Sequence, residues 1–338
     1  MLTDERLVMF RNRLQKVYRH LRKQAEKAGV SCYRVYDHDL PEFPFCIERY
    51  GEKLYMAEYK RRHGMTENEH NTWLEKCIEL TGEILGAGKE DIFLKLRQRK
   101  PGRLGQYQKF GEVQHEFEVE ENGLKFIVNL SDYLDTGFFL DHRVTRQIVR
   151  EQSSGKKVLN LFAYTGSFSV YAAAGLPAVA DIGMNANEKR PAKVGGAAEV
   201  VTVDLSKTYL KWAERNMRLN GFSDETRYRY IHTDVKQYLK TIPAGYFDII
   251  ILDPPTFSNS KRMDDILDIQ RDHAELINDC LTALKKEGLL YFSTNFRKFS
   301  METDKINSAE IRDITKATTP FDFEGRLFRF CYRIKKTR

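Results

Sequence analysis

The stretch VLNLFAYTGSFSVYAA, Val158 to Ala173, limits the possible folds of this chain more than any other. Its apolar run Val158, Leu159, Leu161 and Phe162 reads as a buried parallel strand, Tyr164-Thr165-Gly166 as a turn, and Ser167 onward as a helix. Unpaired N–H groups at such a helix start can hold a polar or anionic group at the carboxyl edge of a sheet, as in the first half of a nucleotide-binding βαβ unit. A strand-turn-helix occurs in any α/β domain, so the weight falls on the segments that follow.

Those segments are strands that end in acids. VVTVD closes at Asp204 and RYRYIHTD at Asp234, and each runs into a helix: SKTYLKWAERNMRLNG, with Tyr209, Leu210, Trp212, Ala213 and Met217 on one face, and Val235 to Leu239. The second-strand acid is expected about 20 residues past the glycine turn. Asp204 lies well beyond that, so LPAVADIGMNANEKRPAKVGGAAE, rich in Gly, Pro, Ala and Asn, reads as an inserted surface excursion near 176–199. Ala178-Val179-Ala180-Asp181 is a rival strand end at nearly the usual distance; VVTVD is preferred as the stronger strand with a helix directly behind it. A fourth strand, Phe247 to Leu252, leaves through Asp253-Pro254-Pro255-Thr256-Phe257. The two prolines fix φ and donate no N–H, which aims their carbonyls and the following side chains into the crevice. Gly288 to Asn295 reads as the fifth strand, and IRDIT and LFRFCYRI as a closing hairpin. The expected fold class is α/β, with a seven-stranded, mostly parallel Rossmann-like sheet and a terminal antiparallel hairpin across 131–338.

The N-terminal part has a different pattern. Leu7, Phe10, Leu14, Val17 and Leu21 recur at helical spacing with Lys and Arg between them, giving a basic amphipathic helix within 1–30. From 31 to 130 the strings CYRVYD, FPFCIERY, KLYMAEYK, DIFLKLR, EVQHEFEVE and LKFIVNL read as strands around a helix from Thr66 to Leu85, a small α+β module that could bind RNA. The connector SDYLDTGFFLDHRVTRQIVREQ follows, with Asp141 placed to cap a helix and Phe138-Phe139-Leu140 suited to burial.

Composition narrows the class. With 338 residues, 41% hydrophobic and 30% charged, the chain can bury a large core, and no apolar run approaches the roughly 18 residues of a membrane span. The N-terminus lacks a signal-peptide pattern, so a cytoplasmic location is expected. Five cysteines, odd in number and without a CxxC pair, suggest buried thiols, with neither a disulfide framework nor a metal site. The net charge of +7 permits a polyanionic partner, and KLRQRKPGRLGQYQK concentrates Lys95, Arg97, Arg99, Lys100, Arg103 and Lys109 around Tyr107 without an acid. A solvated loop would share that composition.

The glycine turn, the acids at the second and third strand ends and the Asp-Pro-Pro corner together resemble the class I S-adenosylmethionine-dependent methyltransferases. A nicotinamide dehydrogenase fits less well, because only Gly166 stands where such a turn needs spaced glycines. The strings NRLQK, CYRVYD, GQYQK, DYLDTGFFLDHR, NLFAYTGS, TYLKWAERNMRLNG, DPPTFSNSKRM and IQRDH further resemble the bacterial 23S ribosomal RNA guanine-N7 methyltransferases, often the C-terminal half of a fusion. The resemblance runs from about Phe10 to Arg333 and implies S-adenosylmethionine as cofactor and 23S ribosomal RNA as partner. A THUMP-containing guanine-N2 methyltransferase, fused or separate, is a further implied partner, this chain being expected to be either a free-standing relative or one half of such a fusion. It implies that Thr136, Phe139 and Arg143 border the cofactor, that Asn160, Ala163, Tyr164, Thr165 and Gly166 hold its methionine end, that Asp204 with Leu205 holds the ribose, and that Asp234 with Val235 holds the adenine. Asp253, Pro254, Pro255, Thr256 and Phe257 would form the catalytic corner, and Lys261, Arg262, Asn295, Arg297, Arg99, Lys100 and Arg103 would hold RNA. Asn160 replaces the acid that many methyltransferases carry there, and the 176–199 insertion departs from the pattern.

Guanine nitrogen-7 already offers an in-plane lone pair, so its methylation needs placement and no general base. Cytosine carbon-5 would need a cysteine nucleophile near the fourth or fifth strand end, where the chain has Ser293-Thr294-Asn295. Transfer to the guanine N2 amine, or an inactive RNA-binding module, are the alternatives.

Overall fold

The structure is a computed structural model that describes residues 4–59, 64–97, 116–133, 135–176, 195–258, 267–307 and 309–338. It falls into two compact units, one of residues 1–140 with 321–326 and one of residues 141–320 with 327–338.

In the first unit, α1 (Asp4–Ala28) buries Phe10, Leu14, Val17, Leu21 and Ala25 and turns its Lys and Arg outward. Strands β1 (Cys32–Asp37), β2 (Phe45–Tyr50), β3 (Lys53–Tyr59) and β4 (Ile92–Arg97) form a four-stranded sheet in that order. The first three pair antiparallel, and β3 pairs parallel with β4 through α2 (Glu67–Leu85). Thr66 and Glu69 close a capping box at the start of α2, and Gly86 ends it in the left-handed region. Strands β5 (Glu116–Glu121) and β6 (Leu124–Asn129) form a separate hairpin whose turn residues, Asn122 and Gly123, both have positive φ.

Residues 131–140, expected with the second unit, belong to the first. The cause is local: Asn129 N–H donates to the Thr136 carbonyl, the Tyr50 and Thr136 hydroxyls lie 2.8 Å apart, and Phe138 stacks on Phe126 at 4.5 Å. Phe138 and Leu140 are buried as expected, but Phe139 is exposed. Asp141 does not cap a helix; it sits in a short 3-10 turn, and His142 occupies the N-cap without a side-chain cap bond.

The second unit contains α3 (Arg143–Gln152), β7 (Lys157–Leu161), α4 (Ser167–Ala174), β8 (Glu199–Asp204), α5 (Lys207–Leu219), β9 (Tyr228–His232), α6 (Val235–Leu239) and β10 (Phe247–Leu252). The short β11 (Phe257–Ser258) and β12 (Leu267–Asp268) follow, then α7 (Ile269–Ala283), β13 (Leu284–Thr294), β14 (Ala309–Asp313), α8 (Thr315–Thr318) and β15 (Phe330–Lys336). The sheet order is β14-β15-β13-β10-β7-β8-β9, parallel except for β15, which runs antiparallel to both its neighbours. The α/β class and the seven-stranded, mostly parallel sheet are therefore as expected, and VVTVD is the strand β8. Asp181 lies outside the described residues. Central strands are near-continuous apolar runs because helices cover both faces; Leu159, Leu161, Val203, Ile250, Leu252 and Phe292 share one core. The chain leaves β7 for β8 and β9 on one side and returns to β10 on the other, so a switch point opens between the carboxyl ends of β7 and β10.

Ile250 is fully buried in the central strand β10. Ile250→Ala should destabilise the protein by about 2–5 kcal/mol, whereas Lys211→Ala on the exposed face of α5 should stay within about 0.5 kcal/mol. Equilibrium denaturation in guanidinium chloride measures both.

Candidate active site at the carboxyl rim of the sheet

The turn after β7 has an uncommon backbone. Phe162 and Tyr164 both have φ of 52°, and Gly166 has φ of 73°. Two bulky residues in the left-handed region persist only where their surroundings over-determine them. Here β8 and α5 do so. Ala163 N–H donates to the Val203 carbonyl (3.0 Å), Tyr164 N–H to Asp204 Oδ2 (2.9 Å), and Asn216 Nδ2 to the Thr165 carbonyl (2.9 Å), while the Tyr164 ring meets Tyr209 edge-on at 4.6 Å. Gly166 is required twice over: its φ is positive, and a Cβ there would lie 2.6 Å from the Ala213 Cβ of α5.

Asp204 ends β8 half-buried, with Oδ1 accepting from Ser206 N–H (2.8 Å). Burial pushes its pKa above the ordinary value, and the N–H groups of Ser206 and Tyr164 only partly offset this. The Leu205 carbonyl accepts from His232 Nε2 (3.0 Å). Asp234 ends β9 and caps α6: its Oδ1 accepts from the N–H groups of Lys236 (2.8 Å) and Gln237 (3.2 Å). Val235 is core, with its side chain only 3% exposed, so only its main chain can serve a ligand.

Asp253 follows β10 directly. Ser293 Oγ donates to its Oδ1 (2.6 Å), and His142 Nε2 lies 3.3 Å from its Oδ2. Burial would raise the pKa of this carboxyl, but His142, Ser293 and the charge on Arg329 outweigh that and hold it below the ordinary value. Pro254 is buried, and Thr256 Oγ1 donates to Asn295 Oδ1 (2.5 Å), which ties the proline corner to the end of β13.

A family model described as S-adenosylmethionine-dependent methyltransferase matches residues 79–190. The chain is 44% identical over 336 residues to ribosomal RNA large subunit methyltransferase K of Neisseria meningitidis, covering 99% of this chain and 88% of that protein. The chain belongs to this family. It is also 43% identical over 321 residues to ribosomal RNA large subunit methyltransferase K/L of Hahella chejuensis, covering 95% of this chain but 41% of the relative. The fold matches that of SMU.776, described as a methyltransferase and solved in complex with SAH, with a TM-score of 0.69 at 22% identity over 96% of this chain and 81% of that one.

The cofactor of the family is S-adenosylmethionine, and the donor set at the rim suits a sulfonium nucleoside. Two carboxylates end β8 and β9, and between them and the proline corner lies a turn rich in main-chain polar groups. Tyr164, Thr165, Gly166, Ala163, Asp204, Leu205, Asp234 and the Asp253 corner all stand at carboxyl ends of adjacent parallel strands. Asn160 has a structural occupation: it is 2% exposed and donates to Ser169 Oγ (3.0 Å), which in turn lies 2.8 Å from Thr202 Oγ1. Thr136 and Phe139 belong to the first unit and the buried Arg143 to the second. Asn295 and Arg297 are exposed just past β13, where the Arg297 guanidinium lies 4.1 Å from the Phe328 ring centre. Lys261, Arg262, Arg99, Lys100 and Arg103 lie outside the described residues, as does the side chain of Phe257.

Sequence reasoning missed Asn216, Ser293, His142 and Arg329. Asn216 alone left a signal, as a polar residue on the apolar face of α5 beside Tyr209, Trp212, Ala213 and Met217. Asn216→Ala removes the hydrogen bond to the Thr165 carbonyl that holds the turn, at about 1–3 kcal/mol. A lowered melting temperature together with weaker S-adenosylmethionine binding is expected, and calorimetry checks both.

Proposed function

We propose that this chain transfers the methyl group of S-adenosylmethionine to nitrogen-7 of a guanine in 23S ribosomal RNA. The observation that carries this reading is the placement of the Asp253 carboxyl, braced by Ser293 and His142, held below its ordinary pKa and followed by two prolines. A carboxylate presents two acceptors in one plane, which complements the N1–H and exocyclic amine of guanine. Binding that edge leaves nitrogen-7 free on the opposite side of the base. The relatives named as large-subunit ribosomal RNA methyltransferases support the substrate class.

In this reading the turn at Ala163 to Gly166 takes the methionine end of the cofactor, Asp204 accepts from the ribose hydroxyls, and Asp234 meets the adenine amine with the oxygen that does not cap α6. When bound, the cofactor supplies an electrophilic methyl on a sulfonium. The protein supplies placement, with the reacting atoms about 3 to 3.5 Å apart and in line. Asp253 and the Pro254 carbonyl hold the base edge, Pro255 and Thr256 fix the corner, Phe257 stacks on the extruded base, and Asn295, Arg297, Lys261 and Arg262 hold the flanking backbone. Arg143 borders the cofactor, and Arg99, Lys100 and Arg103 hold RNA. Cys280 and Cys331 are fully buried with their thiols pushed up by burial, which speaks against a cytosine carbon-5 mechanism. The work of the chain is then cytoplasmic, alongside a guanine-N2 methyltransferase that is fused or separate.

Incubating the protein with 23S ribosomal RNA and S-adenosylmethionine, then separating digested nucleosides, should yield 7-methylguanosine; 2-methylguanosine alone would overturn the assignment. The raised pKa of Asp204 gives a second expectation. Only the ionised carboxylate accepts from both ribose hydroxyls, so cofactor affinity should fall as pH drops, and begin to fall above about pH 4, where an ordinary aspartate would protonate. Titration calorimetry across pH tests this, with Asp204→Asn expected to bind weakly and without that dependence.

A further inference from the structure

Behind Asp253 stands a relay of buried groups with no assigned role. Arg329, 4% exposed, precedes β15 and donates from Nη1 to the Asp141 carbonyl (2.6 Å) and from Nη2 to the Thr318 carbonyl (2.8 Å) and Oγ1 (3.1 Å). The same Nη1 lies 3.2 Å from His142 Nδ1. A guanidinium carries donors only, so Nδ1 must accept and the ring proton must sit on Nε2. That nitrogen points at Asp253 Oδ2 at 3.3 Å, with Asp141 Oδ2 farther at 3.7 Å. The Phe168 ring packs edge-on against the imidazole at 5.5 Å. With Ser293 donating to Oδ1 and His142 facing Oδ2, each Asp253 oxygen keeps a lone pair for a ligand.

The protonation state of this carboxyl decides which base it matches. Ionised, it offers two acceptors, the complement of guanine N1–H and the exocyclic amine. Protonated, it offers one donor and one acceptor, the complement of the adenine Watson–Crick edge. We propose that His142, its tautomer fixed by Arg329, is a positioning residue that keeps the Asp253 carboxylate aligned and ionised, and thereby selects guanine over adenine. This rests on the reading that Asp253 contacts the target base. The groups facing Asp253 are His142 from the segment before α3, Ser293 from β13, and Arg329 and Cys331 from the β15 side, while Asp141 faces His142 and Arg329. The thiol of Cys331 is raised by burial and stays neutral, so the Nε2–H of His142, the Ser293 hydroxyl and the charge on Arg329 together offset the cost of burying the carboxylate.

The test compares His142→Gln, whose amide N–H can take the place of Nε2–H, with His142→Asn, whose shorter amide cannot reach Asp253. Transfer is measured on short RNAs bearing guanine or adenine at the target position, across pH. His142→Gln should keep the acid limb and the guanine preference of the wild type. His142→Asn should move the acid limb to higher pH, lower kcat/KM on guanine about tenfold or more, and narrow the guanine-to-adenine ratio, with S-adenosylmethionine affinity unchanged. Identical pH profiles and base preferences for the two variants would overturn the relay. Should neither variant fold, 15N–1H correlation spectra of the wild-type imidazole decide: an Nε2–H tautomer supports the relay, and an Nδ1–H tautomer overturns it. Asp253→Ala separates the two levels. Full activity there would sink the base-contact reading itself, whereas lost activity with indistinguishable His142 variants would sink only the relay.

Discussion

The left-handed turn that follows β7 is the constraint on which the rim depends. Phe162 and Tyr164 adopt a backbone that side chains of their size rarely tolerate, and β8 and α5 hold the turn at Ala163, Tyr164 and Thr165. The clamp is mutual: Asp204 steadies the turn through the Tyr164 N–H, and the turn places Asp204. Gly166 lets α4 start against Ala213 of α5, where any side chain would force the helix away. Strand end, turn and acid therefore move as one piece, which is what a preorganised ligand rim requires.

The proline corner is built by different means. No left-handed backbone is needed between Leu252 and Thr256; two prolines restrict φ, and hydrogen bonds from Ser293 and to Asn295 tie the corner to the neighbouring strand β13. The two acids at the front of the rim are tuned in opposite directions. Asp204 lies where burial dominates, whereas Asp253 is surrounded by partners that favour its charge. A carboxyl whose charge burial disfavours and one whose charge its neighbours favour are suited to different ligands, and the β7/β10 switch point sets them on either side of one crevice.

Much of this was legible in the residue order, for local reasons. VLNLFAYTGS and VVTVD announce a βαβ unit because a buried parallel strand needs an unbroken apolar run, and the helix after VVTVD distinguishes it from the weaker Ala178 to Asp181 stretch. The capping box at Thr66 and the left-handed Gly86 mark both ends of α2 by short-range chemistry. What escaped depends on contacts between distant positions. The stretch around Thr136 is claimed by Tyr50, and His142 acquires its tautomer from Arg329, a partner that no spacing rule connects to it. The family resemblance places Asn160 at the cofactor, and the linear order gives no hint that its Nδ2 donates to Ser169 Oγ of α4. The chain order of the last two strands also hides that β15 inserts between β13 and β14, since a hairpin can add to a sheet by either strand.

A co-crystal structure with S-adenosylhomocysteine tests the central claim most directly. The account predicts the ribose hydroxyls on the Asp204 carboxylate, the homocysteine end within the turn from Ala163 to Gly166, and the sulfur directed at the Asp253-Pro254 corner. A nucleoside bound elsewhere, or one whose ribose leaves Asp204 bonded only to Tyr164 and Ser206, would contradict it.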